Sequence, residues 1–184
     1  GLEHPFYFQE FGQTVFFGNR FTGLLAYFPV DIRKTRTRTV ESAERKNWVR
    51  GYAESAVVSR VVPVDGVFTK VYNYLNSSEL PVAVDLASLQ NSLVVATEEE
   101  VFFSEVGIPN AFPARSHIRV PSANKITAIC ELSDNLIIFT ESETFLYQPS
   151  AGELLAGGVI TSLSKSVGCI GPSALYTEGT TCFW

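Results

Sequence analysis

The chain has 184 residues, of which 46% are hydrophobic and 18% are charged, and its formal net charge is −5. This composition excludes an intrinsically disordered chain, and the length is sufficient to bury one sizeable core. The negative net charge gives no overall argument for nucleic-acid binding. The 14 phenylalanines, the 7 tyrosines and the many β-branched residues favour pleated, half-buried surfaces, so they predict an all-β protein.

Residues 1–30 predict a β-hairpin. Two apolar runs, at 14–17 and 24–28, flank the sequence Gly18-Asn-Arg-Phe-Thr-Gly23. Glycine and asparagine tolerate the positive φ angles that a tight reversal requires. The hairpin is a looser copy of a repeat that occurs later in the chain, so we expect it to form part of a β-propeller blade.

Residues 31–60 form a basic insertion. Eight positive and four negative charges give this segment a net charge of +4. Its first part alternates threonine with arginine, which would place the arginines on one face of a strand. Its second part has Trp48, Tyr52 and Ala56 at helical spacing, and these residues predict an apolar stripe on a helix.

Three interpretations of the basic insertion stay open. It is a solvated edge strand whose charges prevent aggregation, a contact surface for another protein, or a surface that neutralises DNA phosphates. The candidate contact residues for a partner or for DNA are Arg33, Lys34, Arg36, Arg38 and Trp48.

Residues 61–81 predict a further β segment followed by a loop. Apolar residues flank Asp65-Gly66, a dipeptide that is typical of hairpin turns. The polar sequence Asn76-Ser-Ser-Glu-Leu-Pro81 then predicts the loop.

The strongest pattern in the chain is a repeat with a period of 43 residues. Residues 91–103 and 134–146 follow one template, and the matching extends through three predicted strands in the same order. We therefore expect one blade at 82–124, a second at 125–160 and a partial blade at 161–184. Because the Thr-Glu pairs at 97–98 and 140–141 recur with the repeat, they are predicted to be turn residues rather than catalytic residues.

A period near 40 residues is typical of four-stranded propeller blades, which bury their faces by stacking on neighbours. The predicted fold is thus a set of antiparallel β-propeller blades, and the alternative is a β-sandwich. The chain lacks methionine and ends in the apolar sequence Cys182-Phe-Trp184, so we expect a fragment of a larger protein. No stretch approaches 18 consecutive apolar residues, so no membrane span is expected.

Several sequences between and within these blades carry a family resemblance. The sequence Phe103-Ser-Glu105 leads into Gly107-Ile-Pro-Asn-Ala-Phe-Pro113, the next repeat contains Leu136-Ile-Ile-Phe-Thr-Glu141, and Gly168-Cys-Ile-Gly-Pro-Ser173 precedes the last strand. In this order they resemble the propeller region of tailed-bacteriophage connector proteins, namely the packaged-DNA stabilisation, tail hub and nozzle proteins of short-tailed phages. The resemblance covers roughly residues 82–184.

The resemblance implies a structural virion protein of the phage head–tail connector, tail nozzle or hub. Such a protein acts in virion assembly and in DNA retention or passage, and it is not an enzyme. The implied partners are portal, adaptor or tail proteins and further copies of the chain in a homo-oligomeric ring, with DNA in the channel. The implied location is the virion tail, after assembly in the bacterial host cytoplasm. The basic insertion shows no match to this family, so its role stays open.

Two other function classes stay open as alternatives. Glycoside hydrolysis requires two carboxyl groups that flank the scissile bond, and Glu98, Glu99, Glu100 and Glu105 cluster in the sequence. Consecutive glutamates in a hairpin alternate in direction, however, so solvated turn residues are the favoured interpretation. A propeller module that binds a host carbohydrate or protein is the other alternative, with aromatic contacts from Phe112 and Tyr147.

No catalytic or metal-binding residues are expected. His4 and His117 have no cysteine, aspartate or glutamate at a metal-ligand spacing. Cys169 has no histidine nearby to activate a thiolate, and no nucleotide-binding glycine-rich loop occurs, so no cofactor is expected. The odd cysteine count, with Cys130 inside an apolar run, predicts reduced and buried thiols.

Overall fold

The structure is a computed structural model that describes most of the chain after residue 82 and parts of the chain before it. The described residues are 6–12, 14–19, 23–29, 66–70, 73–75, 80, 82–150, 155–178 and 181–184. Within these ranges the fold is all-β, as the composition predicts, and it consists of antiparallel meanders. The helices of this part of the chain are two short 3₁₀ helices, Leu155–Gly157 and Pro172–Ala174.

The described strands form three four-stranded sheets and one two-stranded sheet. In every sheet, consecutive strands are hydrogen-bonded neighbours in chain order. The first sheet contains β1 (Tyr7–Phe11), β2 (Thr14–Asn19), β3 (Gly23–Pro29) and β4 (Gly66–Lys70). The second contains β5 (Asp85–Leu89), β6 (Ser92–Ala96), β7 (Glu100–Phe103) and β8 (His117–Arg119). The third contains β9 (Ile126–Leu132), β10 (Asn135–Thr140), β11 (Thr144–Gln148) and β12 (Val159–Ser164), and the last contains β13 (Tyr176–Glu178) and β14 (Thr181–Phe183).

The 43-residue repeat is present in the backbone as well as in the sequence. The β5–β6 and β9–β10 hairpins turn through two residues each, Gln90-Asn91 and Ser133-Asp134. All four of these residues have positive φ angles between 48° and 61°. Positive φ at both central residues is the requirement of the type I′ turn, whose twist matches that of the flanking strands. The second and third sheets therefore start with the same hairpin.

The repeated threonines make the same turn in both sheets. The Thr97 side-chain oxygen accepts a hydrogen bond from the backbone N–H of Glu100 (3.0 Å), and the Thr140 oxygen accepts one from Glu143 (2.9 Å). In each case the threonine N–H also donates to the carbonyl oxygen of the same glutamate. Both Thr-Glu pairs therefore lie in turns, as predicted, and the absence of a catalytic role stays a prediction.

The central strands of the second and third sheets are buried on both faces. In β6, Val94 and Ala96 pack into a core with the third sheet, whereas Leu93 and Val95 pack into a core with the first sheet. In β10, alternate residues likewise belong to two different clusters. Side chains alternate between the faces of a strand, so a continuous apolar run is the sequence signature of burial on both faces.

The sheets stack in chain order around their first strands. Strand β5 lies next to β1 on one side and next to β9 on the other. One core lies between the first and second sheets and another between the second and third. The described residues thus form a succession of stacked meanders, and within them the sheets do not close into a ring.

Three of the observed strands, β1, β8 and β12, were not predicted from the sequence. Strand β1, although it pairs with β2, carries no alternating pattern strong enough to predict it. The fourth strands β8 and β12 were also not predicted, because β8 has only three residues and β12 is mostly exposed. The boundary predicted at 160/161, between the second blade and the partial blade, falls inside β12. This strand pairs with β11 as the fourth strand of the third sheet.

Two glycines in the loop regions after β11 differ sharply in the space around them. A Cβ atom on Gly168 would lie 2.1 Å from the carbonyl oxygen of Thr140 and 2.6 Å from backbone atoms of the next two residues. The adjacent Cys169 N–H donates to the same Thr140 oxygen (2.8 Å), so the loop is fixed against the β10–β11 turn. A Cβ on the exposed Gly157 would meet only Ser150 Oγ, at 3.9 Å.

We predict that Gly168→Ala lowers the free energy of unfolding by about 1–3 kcal/mol, because the added methyl group forces two backbone segments apart. Gly157→Ala is the matched control and should change it by less than about 0.5 kcal/mol. Urea unfolding followed by tryptophan fluorescence measures both. Equal stability of the two variants would contradict the close approach of residue 168 to the turn.

Candidate functional site

A cleft in the described part of the chain lies where β1, β5 and β9, the first strands of the three four-stranded sheets, meet. It has a volume of about 530 Å³ and is bounded by β1, β5, β9, the 3₁₀ helix Pro172–Ala174 and the start of β13. Its lining combines aromatic residues of β1 with polar and carboxylate side chains. The lining includes Phe6, Phe8, Gln9, Asp85, Cys130 and Glu131.

Asp85 is the buried carboxylate of this cleft. It is the first residue of β5, and its relative exposure is only 6%. One carboxyl oxygen accepts a hydrogen bond from the backbone N–H of Leu86 (2.8 Å), and the other accepts one from the backbone N–H of Ile129 (2.8 Å). Strand β9 is at the edge of its sheet, so the outward N–H of Ile129 has no strand partner there. Asp85 satisfies this donor and joins the second sheet to the third.

Burial determines the protonation behaviour of Asp85. Removal of the carboxyl group from water raises its pKa from the ordinary 3.8 to about 7, because burial disfavours the charged form. The hydrogen bonds from Ile129 and Leu86 act in the opposite direction, since they favour the carboxylate, but their effect is smaller. The joint between the two sheets therefore contains a carboxyl group that changes charge near neutral pH.

Sequence reasoning missed Asp85. It stands in the apolar sequence Val82-Ala-Val-Asp-Leu-Ala87, where a carboxylate would be recognised as unusual if the strand were known to face inward. The available signal was therefore the apolar context of a single acid. Its hydrogen-bond partner, the backbone N–H of Ile129, cannot be recognised in the sequence, because a backbone group is independent of the side chain.

The residues that were predicted to contact a partner or DNA lie outside the described residues. This holds for the whole basic insertion, including the apolar stripe predicted on its second part. The proposed contacts therefore stay predictions, and they concern Arg33, Lys34, Arg36, Arg38 and Trp48.

Two of the clustered glutamates have basic partners. Glu98 forms an ion pair with Lys125 (2.5 Å), and Glu99 forms one with Arg119 (2.8 Å). Both pairs are largely exposed, so each contributes little to stability. Glu105 is exposed and forms an isolated bridge with Ile108 in the following loop. The two ion pairs instead connect the β6–β7 turn to β8 and to the residue before β9.

The two aromatic residues that were expected to contact a ligand are buried. Phe112 packs between the first and second sheets at 4% exposure, and Tyr147 is fully buried, with its ring 5.5 Å from that of Phe103. The Tyr147 hydroxyl oxygen accepts a hydrogen bond from the N–H of Gly158 (2.9 Å). The expectation that these rings are surface contacts is wrong, because each belongs to a core between sheets.

The remaining candidate groups form no metal site in the described residues. His117 is exposed and stacks on Phe102 at 5.5 Å, while His4 lies outside the described ranges. Across those ranges, no group of three histidine, cysteine, aspartate or glutamate side chains is placed to hold a metal ion. The same part of the chain contains no helix that is long and apolar enough to cross a membrane.

The chain matches no protein-family model, and no curated protein matches it significantly. The cleft must therefore be interpreted from its own chemistry. It offers exposed aromatic rings, hydrogen-bonding groups and carboxylates on adjacent strands, an arrangement suited to binding polar ligands or to repelling anions.

We predict that Asp85 makes the stability of the chain depend on pH between about 4 and 7. Its pKa is raised in the folded state, so in this window the folded chain binds more protons than the unfolded chain and stability falls as pH rises, by up to about 4 kcal/mol. Asp85→Asn cannot ionise and should lose this slope. It should also be less stable than the parent at low pH, because its NH₂ group faces a backbone donor.

Urea unfolding at several pH values from about 4 to 8 measures this effect. Asp134→Asn, in an exposed turn where the backbone conformation suits asparagine, is the matched control and should keep the parent slope. Parallel pH profiles for Asp85→Asn and the parent would show that Asp85 does not titrate in this window.

Proposed function

We propose that the chain is a structural protein of a tailed-bacteriophage virion, built from propeller-type blades in the head–tail connector, tail nozzle or hub. The observation that carries this proposal is the stacking of successive four-stranded meanders whose first strands lie side by side. The chain would act in virion assembly and in DNA retention or passage. It would be located in the virion tail after assembly in the host cytoplasm.

The stacking supports propeller blades over a β-sandwich. A sandwich has two sheets, each with one face in water, whereas the second sheet here has a core on each of its faces. Propeller blades bury both faces in this way, and their first strands line the central axis. In this proposal β1, β5 and β9 are the axial strands, and the cleft is a sector of the axial channel.

The loop that carries the family resemblance has an ordered internal structure. Ser104 Oγ accepts from the N–H of Leu93 (2.8 Å), and Glu105 N–H donates to the carbonyl oxygen of Ala111 (2.7 Å). The buried Asn73 side chain bonds both the N–H and the carbonyl oxygen of Phe112, at 3.0 and 2.8 Å. These contacts show that the loop is held by backbone hydrogen bonds and by the side chains of Ser104 and Asn73.

The mechanism in this proposal is geometric and electrostatic. Rigid stacked blades would hold the connecting loops in a ring made with further copies of the chain. Glu131, together with Asp85 once it ionises above about pH 7, would give the axial cleft a negative character, which would allow DNA to pass without adhering. The basic insertion between β3 and β4 would contact portal, adaptor or tail proteins.

One observation favours a second candidate, a module that binds a host carbohydrate. The ring of Phe8 is 66% exposed at the cleft, beside Gln9 and the carboxylates of β5 and β9. An exposed aromatic face beside polar groups is a suitable platform for a sugar ring, which has both apolar and hydrogen-bonding surfaces. This candidate uses β1 and not the buried Phe112 or Tyr147.

We predict that antibodies raised against the purified chain bind to particles of a tailed phage that carries its gene. The label should appear at a single vertex or on the tail. Immunogold electron microscopy measures the position, and antibodies against the major capsid protein are the control, since they should label the whole head. Labelling of host cells without labelling of purified particles would overturn the virion proposal.

For the second candidate, we predict that Phe8→Ala lowers binding on a glycan array by about tenfold or more, which corresponds to the loss of roughly 1.4 kcal/mol of contact energy. Phe183→Ala, which removes a similarly exposed ring away from the cleft, should leave binding unchanged. Absence of saturable binding by the parent chain would exclude carbohydrate recognition by the cleft.

A further inference from the structure

Three reduced cysteines lie in one cluster behind the third sheet. Cys130 is on β9, Cys182 is on β14 and Cys169 is in the loop before Pro172. Cys130 and Cys169 are buried, whereas Cys182 is half-buried. The sulfur atoms of Cys130 and Cys182 are 3.3 Å apart, although the residues are 52 positions apart in the sequence.

We propose that Cys130 and Cys182 form an intramolecular disulfide when the chain meets an oxidising environment, and that this bond fastens the β13–β14 hairpin to β9. The two sulfurs are already in contact, so a bond of about 2.05 Å requires a movement of roughly 1 Å shared by two side chains. The two strands that carry them, β9 and β14, contact each other.

The third thiol, that of Cys169, has a different hydrogen-bond partner. The Cys169 sulfur donates to the carbonyl oxygen of Gly171 (3.2 Å), and the Cys169 N–H holds the loop against Thr140 (2.8 Å). The thiols of Cys130 and Cys182 instead face each other. This arrangement selects one of the three pairings that the three cysteines permit.

The environment of each thiol gives the order of the chemical steps. Burial raises the pKa of the Cys130 thiol well above its ordinary value, and the neighbouring Cys182 and the charge of Asp85 raise it further. Cys182 is the more accessible thiol and is therefore the first nucleophile.

With glutathione disulfide as oxidant, the Cys182 thiolate attacks one sulfur and the S–S bond of glutathione breaks. One glutathione thiolate leaves. Cys130 then loses its proton and attacks the Cys182 sulfur of the mixed disulfide, which releases the second glutathione. Two protein thiols are oxidised, one glutathione disulfide is reduced to two glutathione molecules, and the two thiol protons balance the two thiolates released.

The hairpin is the element that would gain most from this bond. All three residues of β13 are exposed, and within the described residues the β13–β14 sheet pairs with no other strand. Its attachments include the contact of β14 with β9 and the packing of Trp184 on Phe139, whose ring centres are 5.2 Å apart. A covalent bond between Cys182 and Cys130 would anchor β14 of the hairpin to β9 of the third sheet.

This inference depends on the sulfur geometry and not on the proposed virion function. If the chain is a virion protein, the bond would form after assembly, because the host cytoplasm is reducing and the exterior is oxidising. Particle labelling tests the virion function separately, so either proposal can fail alone.

The experiment equilibrates the purified chain, at low concentration, in glutathione buffers that range from fully reduced to fully oxidised. Non-reducing peptide mapping by mass spectrometry should detect a peptide that joins Cys130 to Cys182 and has lost two hydrogens. Free thiols measured after denaturation should fall from three to one. The melting temperature should rise by several degrees in oxidised samples, because closure of the intervening loop restricts the unfolded chain.

Matched variants locate the bond. Cys169→Ser should still form the cross-link, whereas Cys182→Ser and Cys130→Ser should not. Any of three outcomes would overturn the proposal. The chain could keep all three thiols in the most oxidising buffer, form a cross-link that includes Cys169, or form only glutathione adducts and intermolecular dimers. The peptide map of the unmodified chain decides the matter if the variants do not fold.

Discussion

The fold depends on strands that are apolar on both faces. A strand such as β6 cannot be placed at a surface, because either face would then expose leucine or valine to water at a cost of about 1.5–3 kcal/mol per side chain. The second sheet therefore requires the first sheet on one side and the third on the other. The stacking of the three sheets follows from this requirement.

Polar side chains bind backbone groups where the stacked sheets meet and where loops enter the core. Asp85 accepts the outward N–H of an edge strand, Asn73 bonds both backbone groups of Phe112, and Thr140 closes a turn while fully buried. Each satisfies backbone groups that would otherwise be buried without partners, a loss of about 1–3 kcal/mol apiece. Among them Asp85 differs, since its own burial raises its pKa to about 7.

The sequence predicts those parts of the fold that rest on local patterns. The strands β5 to β7 and β9 to β11 are evident because long apolar runs and the Thr-Glu pair that follows them recur at a fixed period. Strands β8 and β12 are short or exposed, so they are recognisable only from their pairing partners. The cleft and the Cys130–Cys182 contact could not be predicted, because they bring together residues more than 40 positions apart through packing alone.

The hydrogen bond between Asp85 and Ile129 also constrains how the chain folds. Its two ends are 44 residues apart, and both strands that it joins first need their own hairpins, which close through two-residue turns. Local contacts of that kind form early, while contacts of large sequence separation must first overcome the entropy of loop closure. Each meander would therefore form as a separate unit, and docking of one meander on the next would be the slow step in folding.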